Sequence, residues 1–465
     1  MSSVNSPISA AAPVTQQERI VIIDSLRGIA LLGILMMNIP YFALPEPAFD
    51  NLAVNNELGT INQKVWYSVN WFLEGSQRAI FSMLFGAGII LFITRLEKRI
   101  EGIMTAEYFI RRQLWLLFFG LVNAFVLLWP GDILFQYAIC GIILFVFRRM
   151  PVKGLLISAF ICLVLMTTRE NVDLFRQHKK IFKGEAIAKL DTTKVKLTDE
   201  QKDDLGAMTG FKERAGKEAQ EKEMKKNLRE VRGSYGEVYN NLSNASTNAE
   251  FYYTYYGLWD VLLFMFIGMA FYKNGILTGN ASVKIYWALF IAGLGLGLVV
   301  SYFRLQPLLD TKFNRFDYTK RIVVEYYEVS RTLRSLGIFG LLMLLYKSGL
   351  FGWLFQLMRP VGQMAFTNYL AQSLICAVYF YGFGFGRYGY LQRYEIYYVV
   401  AAIWIVEIAW SHVWLRYFRF GPLEWAWRSL TYWKLQPLKR RTHPGMGETD
   451  VVSQTTVSEK SESSF

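Results

Sequence analysis

Ten apolar runs recur between residues 19 and 417, each set off by a charged or Gly/Pro-containing connection. Many approach the roughly 20 residues needed to cross the ~30 Å hydrocarbon core of a bilayer. Inside lipid the backbone must satisfy its own hydrogen bonds, and helices do this within one segment. No soluble fold needs so many runs of this length. The expected class is all-α: a polytopic membrane bundle of about ten transmembrane helices, with one polar insert and a final interfacial helix.

The runs fall at 19–42, 66–95, 114–129, 133–147, 154–167, 255–272, 286–303, 333–346, 361–383 and 397–417. This divides the chain into a disordered tail (1–18), a membrane bundle in two parts (19–168 and 253–418), an insert (169–252), an interfacial helix (419–441) and a second disordered tail (442–465). The first 18 residues lack a charged n-region followed by a cleavage site. The first run is therefore read as a retained helix and not a signal peptide.

The net charge of +13 matters through its placement. Arg95, Lys98, Arg99, Arg111 and Arg112 follow the second run, Arg148, Arg149 and Lys153 the fourth, and Lys273, Lys284, Lys347 and Arg359 lie on the same side in this count. A basic stretch follows the tenth. The positive-inside rule makes that side cytoplasmic, with both termini inside and the insert outside. The basic residues are scattered over loop ends and form no stripe, which argues against nucleic acid as a partner and leaves membrane lipids. Cys140, Cys162 and Cys376 all lie in apolar runs, and His178, His412 and His443 are the whole histidine supply. Neither a disulfide framework nor a metal site follows.

The insert is rich in Lys, Glu, Gln and Ala, which favour helix, and Thr198 opens a capping box with Gln201. With few apolar residues for a core of its own, it is expected to form loosely packed helices over the membrane domain, a solvated spacer in preference to a binding domain. Asn241 and Asn244 begin glycosylation sequons. At the other end, Gly421-Pro422 followed by Glu424 gives good helix-start chemistry, Glu424 and Arg428 are spaced i,i+4, and Trp425, Trp427, Tyr432 and Trp433 suit an interface.

Ionisable groups inside a span are costly unless they face protein, water or a partner charge. Asp24, Arg27 and Asn38 share one stripe of the first helix, within roughly 60° of arc. Glu74 and Arg78 are i,i+4 partners on the second, as a site wall or as an interfacial pair that snorkels to water; Gln77 lies beside them. Asp132 opens the fourth after Pro130-Gly131 and reads most simply as a helix cap. Asn38, Glu74, Arg78 and Asp132 nevertheless fall near one depth at the outer face, which makes them a cavity candidate together. Asn368 and Gln372 share a face of the ninth run, with Gln363 and Thr367 close by, and structural glue is their default role. Glu407 and His412 lie in the inner half of the tenth; His412 is a candidate base, though an interfacial side chain is the commoner reading. Ser82 with Gly86, and Gly293, Gly295 and Gly297, read as close helix contacts, while Asp260 has no assignment. No phosphate-binding loop, zinc motif or GxSxG elbow is present.

Five stretches together resemble the YeiB-like family of bacterial membrane proteins: IDSLRGIALLGILMMNI (23–39), FSMLFGAGIILF (81–92), WPGDILFQYAICG (129–141), RPVGQMAFTNYLAQS (359–373) and FRFGPLEWAWRSLTYWKLQPL (418–438). The last two lie in what that family carries as a C-terminal domain of unknown function. The family in turn looks distantly similar to transmembrane acyltransferases, including heparan-α-glucosaminide N-acetyltransferase and the bacterial O-acyltransferases. The shared element is an acidic residue, then Arg-Gly, then a polar residue eleven positions after the Arg: here Asp24, Arg27-Gly28 and Asn38. The O-acyltransferases typically have a catalytic histidine at the last position. Asn38 cannot act as a general base, but an amide can donate a hydrogen bond to a carbonyl oxygen.

The resemblance implies an acyltransferase-like protein of the bacterial inner membrane. It would hold no bound cofactor but take an acyl donor such as a coenzyme A thioester from the cytoplasm, past Arg27. Asn38, Glu74 and Asp132 would be the catalytic candidates, with Asp132 or Glu74 as base. Asp24, Arg27, Arg78, Asn368, Gln372 and His412 would bind substrate, and the acceptor would be a small molecule or an envelope glycan or lipid. Two alternatives come from other classes: a transporter of a small anionic or amphiphilic solute along the same stripe, and a scaffold whose insert binds an envelope partner.

Overall fold

The computed structural model describes residues 20–100, 103–190 and 196–440; the tails expected at 1–18 and 442–465 lie outside the described residues. Among those residues the chain is helical, and the one extended pairing is an isolated antiparallel bridge between Phe418 and Lys439. In chain order the helices are α1 Val21–Ala43, α2 Glu46–Asp50, α3 Ile61–Phe72, α4 Ser76–Glu97, α5 Met104–Phe125, α6 Leu134–Val146, α7 Val152–Ala188, α8 Asp199–Ala215, α9 Lys217–Val231 and α10 Tyr235–Thr247. They continue as α11 Thr254–Lys273, α12 Val283–Ala288, α13 Gly295–Asp310, α14 Arg315–Arg321, α15 Tyr327–Ser348, α16 Gly352–Gln363, α17 Ala365–Phe380, α18 Ile396–Tyr417 and α19 Pro422–Tyr432. Two π-helical turns, Asn248–Tyr253 and Leu289–Leu294, join α10 to α11 and α12 to α13.

Seven helical segments among the described residues are long and apolar enough to cross a membrane. They match seven of the ten runs; the other three form α5, the 13-residue α6 and the interrupted pair α16–α17. Burial separates centre from periphery. The apolar windows of α1 and of the α10–α11 unit are 67% and 72% buried, whereas those of α7 and of the α12–α13 unit are 22% and 17% buried. An apolar helix left so exposed is one that faces lipid.

Glycines set the closest crossings. A Cβ at Gly28 of α1 would overlap the Met358 carbonyl of α16, and one at Gly362 of α16 would overlap the Asp24 carbonyl of α1. Gly86 on α4 meets the facing backbone in the same way, as its small-residue spacing from Ser82 predicts, and so does Gly268 on α11. Gly293 and Gly297 also make the expected contact, against α15, but Gly295 faces open space.

Two runs expected to be single helices are interrupted. Gly75, at φ 71°, separates α3 from α4 in a left-handed conformation that suits glycine. Between α16 and α17 the Met364 N–H is shared by the carbonyls of Pro360 and Val361, four and three residues back, where Pro360 has removed a donor. α7, 37 residues long, overruns its expected end at 167 and continues into the insert as far as Ala188.

The insert is helical as expected, with the Thr198–Gln201 capping box formed, but its later half is fastened more tightly than a loose spacer. Val231 and Val238 belong to the main core. Gly382 N–H donates to Val231 O at 2.9 Å, Arg232 Nε to Tyr388 O at 2.8 Å, and Tyr388 Oη to Asn227 Oδ1 at 2.6 Å. The bundle thus has an insert end and a basic end. At the latter Lys273 Nζ donates to the carbonyls of Arg148 and Met150, and Trp427 of α19 donates to that of Arg112.

Candidate functional site

A cavity of about 240 Å³ opens near the basic end. Its walls come from the start of α1 (Ile23, Asp24, Arg27), α4 (Phe81, Phe85, Phe92, Arg95), α5 (Phe109, Arg112, Leu116) and the start of α6 (Leu134, Tyr137). The α16–α17 break adds Gly362, Gln363, Phe366 and Tyr369, and α19 adds Glu424, Trp427, Arg428 and Tyr432. Four guanidinium groups stand against two carboxylates, a surplus of two positive charges in a largely apolar enclosure. Such a site draws anions, because low-dielectric walls focus the field.

The charged groups are held in place. Arg27 Nη1 lies 3.1 Å from Asp24 Oδ1. The Arg112 guanidinium is 3.5 Å from the Trp427 ring centroid and 5.0 Å from that of Phe92, a stacked geometry that leaves its N–H edge available sideways. Glu424, spaced for Arg428 on its own helix, is also engaged by α17. Its carboxylate accepts the Phe366 N–H (2.8 Å), the Thr367 N–H (3.1 Å) and the Thr367 hydroxyl (2.6 Å), and so caps the start of α17 beyond the break. Burial holds the Glu424 carboxyl above its ordinary range, against the pull of those hydrogen bonds.

Leu134, Tyr137 and Tyr369 line the cavity towards the insert end, and a separate polar cluster lies behind each tyrosine. Tyr137 Oη is 2.5 Å from Ser82 Oγ and donates to Arg78 O at 3.3 Å. Arg78 Nη2 meets Asp260 Oδ2 at 2.7 Å, and the fully buried Arg331 bridges Asp260 and Glu328. Arg334, also fully buried, donates to the carbonyls of Asn70, Trp71 and Glu74 at 2.6–2.8 Å and to Ser301 Oγ at 3.0 Å. It satisfies the open C-terminus of α3 at the Gly75 break. On the other side, Tyr369 Oη accepts the Ile133 N–H at 3.1 Å, and Asp132 accepts from Asn123 Nδ2 at 2.7 Å and from the Phe135 N–H at 2.9 Å.

The sequence candidates are therefore divided. Asp24 and Arg27 line the cavity. Asn38 lies about three turns further along α1, half-buried and outside the lining. Glu74 and Arg78 are not partners: the Gly75 break turns Glu74 towards Arg304 while Arg78 goes to Asp260. Asp132 acts as the expected cap, one residue before the cap position itself. Asn368 donates to Ser411 and Val361 O and accepts from Trp410, and Gln372 donates to Glu407, so both join α17 to its neighbours as the glue reading has it. His412 Nδ1 pairs with Ile408 O on its own helix.

Arg112, Tyr369, Glu328, Arg331 and Arg334 were not singled out by sequence. The Glu328-x-x-Arg331-x-x-Arg334 spacing, one face of one helix, carried that signal; the stacking of Arg112 on Trp427, 315 residues apart, left none.

Residues 271–434 match the family described as "Protein of unknown function (DUF418)", a range that contains the 359–373 stretch and most of the 418–438 one. The similarity to whole proteins reaches much further. "Uncharacterized protein YxaH" of Bacillus subtilis (strain 168) is 29% identical over 449 residues, 94% of this chain and 100% of the relative. "Uncharacterized protein YeiB" of Escherichia coli (strain K12) is 27% identical over 424 residues, 89% of this chain and 96% of the relative. The chain is similar to both proteins along nearly all of its length. A third relative, "Uncharacterized 39.9 kDa protein in amylase 3'region" of Bacillus acidopullulyticus, is 26% identical over 435 residues, 92% of this chain and 97% of the relative. Similarity to these relatives thus extends across the cavity walls on α1, α4, α5 and α6, which the 271–434 match does not reach. No solved structure matches the chain.

Proposed function

We propose that the protein is a membrane acyltransferase: an anionic amphiphilic acyl donor, of the coenzyme A thioester kind, enters the arginine-lined cavity from the cytoplasm, and its acyl group passes to an envelope acceptor. The observation that carries this reading is the sorting of the cavity, with Arg27, Arg95, Arg112 and Arg428 around a mainly aromatic and aliphatic interior. At about 240 Å³ it is smaller than the ~300–1,000 Å³ of sites that enclose a whole drug-sized ligand. It suits the acyl-bearing arm of a donor whose phosphates stay at the guanidinium groups.

In this reading Asp24 and Trp427 position Arg27 and Arg112. Asp132, behind Tyr369, takes the proton of the acceptor hydroxyl as its oxygen bonds to the thioester carbonyl carbon. The C–S bond then breaks and the thiolate leaves. Asn38 would donate a hydrogen bond to the carbonyl oxygen. Glu74, paired with Arg304, and Arg78, paired with Asp260, brace the helices behind Tyr137, and Asn368, Gln372 and His412 serve packing.

The test is binding of acetyl- and palmitoyl-coenzyme A to the full chain in nanodiscs, followed by release of free thiol. Arg112→Ala and Arg428→Ala should each weaken binding at least tenfold. If no acyl thioester binds or is cleaved, the reading fails. Transport is the second reading, and the two interrupted helices favour it, since broken spans frame the sites of many transporters. Counterflow of an acyl-coenzyme A or a lysophospholipid in proteoliposomes, with no covalent product, would decide for it.

A further inference from the structure

A second polar site lies at the insert end, outside the arginine cavity. Glu250 rides on the π-helical turn Asn248–Tyr253, whose wider winding re-aims side chains relative to an α-helix. The segment is fixed on both sides of Glu250: Ser246 Oγ donates to Ala124 O at 2.9 Å, and Phe251 packs edge-on against Phe135 with centroids 5.6 Å apart. Ala124 adjoins Asn123, and Phe135 is the residue whose N–H Asp132 accepts. These contacts carry Glu250 to the start of α6 where Asp132 sits, within electrostatic reach of its carboxylate.

The two carboxylates are unequally provided. Asp132 has Asn123, the Phe135 N–H and the N-terminus of α6 to support its charge. Glu250 is 1% exposed, and its Oε1 meets no donor. Asn123 is fully buried, and with its Nδ2 on Asp132 its own Oδ1 is left without a partner beside the pair. Tyr369 of α17 is the further titratable group beside both carboxylates, and among the described residues neither carboxylate has a lysine, arginine or histidine at ion-pair distance. A bare double negative charge in an apolar interior is prohibitively costly, and one positive charge removes most of that cost.

We propose that Glu250, Asp132 and Asn123 form a buried cation site that takes up a proton or a small hard metal cation. Its all-oxygen donor set excludes thiophilic ions. The site shares Asp132 with the acyl-transfer reading, where it is the base, but cation uptake rests on the buried pair alone and its test reads no acyl transfer. With Tyr369 between it and the arginine cavity, it would couple a cation to whatever the cavity binds.

The test uses the full chain in nanodiscs, with two readouts that separate the sources. Thermal unfolding is compared in sodium, lithium, potassium and choline chloride at equal ionic strength. The infrared carbonyl stretch of protonated carboxylic acids is recorded at neutral pH. A metal site predicts a saturable rise in Tm of roughly 3–5 °C at a hundredfold excess over Kd, abolished by the near-isosteric Glu250→Gln. A proton site predicts no cation selectivity but a protonated-acid band that Glu250→Gln removes. Should Glu250→Gln fail to fold, Asp132→Asn supplies the comparison for both readouts. A Tm that is blind to cation identity, together with a band that neither variant changes, overturns the proposal.

Discussion

Arg331 is the most exposed to test of the buried charges, because it alone bridges Asp260 and Glu328. Breaking a buried pair by removing one partner leaves an uncompensated charge and costs about 3–5 kcal/mol. Arg331→Met should lose that much in detergent-based unfolding measurements. Arg331→Lys should fall between, since an ammonium cannot present a planar fork to two carboxylates at once. A second residue-scale contrast concerns glycine. Gly88 faces open space at the cavity wall, so Gly88→Ala should raise stability by about 0.5–1 kcal/mol through helix entropy. Gly28→Ala should instead lose about 1–3 kcal/mol, because its methyl group has only the Met358 backbone to displace. The polarity of these positions was legible in the sequence, but the pairing was not. Glu74 and Arg78 sit at ideal helical spacing, and only the left-handed Gly75 between them turns each to a partner more than 180 residues away.

Among the elements, α19 shows how far local pattern reaches. Gly421-Pro422 and the aromatic run announce its start and its place at the interface. What its carboxylate does depends on the α16–α17 break, which periodicity hides inside one continuous apolar run. Glu424 caps α17 and so holds α19 as a cavity wall. Its folded pKa is raised above the ordinary value of 4.5, so the folded state binds the proton more tightly than the unfolded state. The contribution is fully present below about 4.5 and is lost as pH rises through the higher folded value. Wild-type stability should therefore fall with rising pH directly above that point, relative to Glu424→Gln, which does not titrate. Parallel pH profiles of Tm for the two proteins would disprove it. The two π turns and the overrun of α7 also have no counterpart in the expected apolar runs.

At the scale of the whole molecule, charge and cavity point the same way: the arginine-lined opening lies at the basic end, and the insert closes the other. Positive-inside sorting predicts a cytoplasmic basic end. Single cysteines report this directly, because Cys140, Cys162 and Cys376 are all buried. Lys222→Cys, on the exposed face of α9, should react with an impermeant maleimide in intact cells, and Lys434→Cys, just past α19, only after permeabilisation. The pair also tests the number of crossings. Five helical passes separate residues 222 and 434 if α16–α17 counts as one, and an odd number places the labels on opposite sides. α17 alone, at 16 residues, reaches about 24 Å, short of the ~30 Å core, so that pass needs both halves of the broken helix. Labels on one side would mean that α16–α17 re-enters without crossing. Labels on opposite sides but inverted would put the arginine cavity outside, where a coenzyme A thioester could not supply it, and acyl transfer in the proposed direction would be lost with the topology.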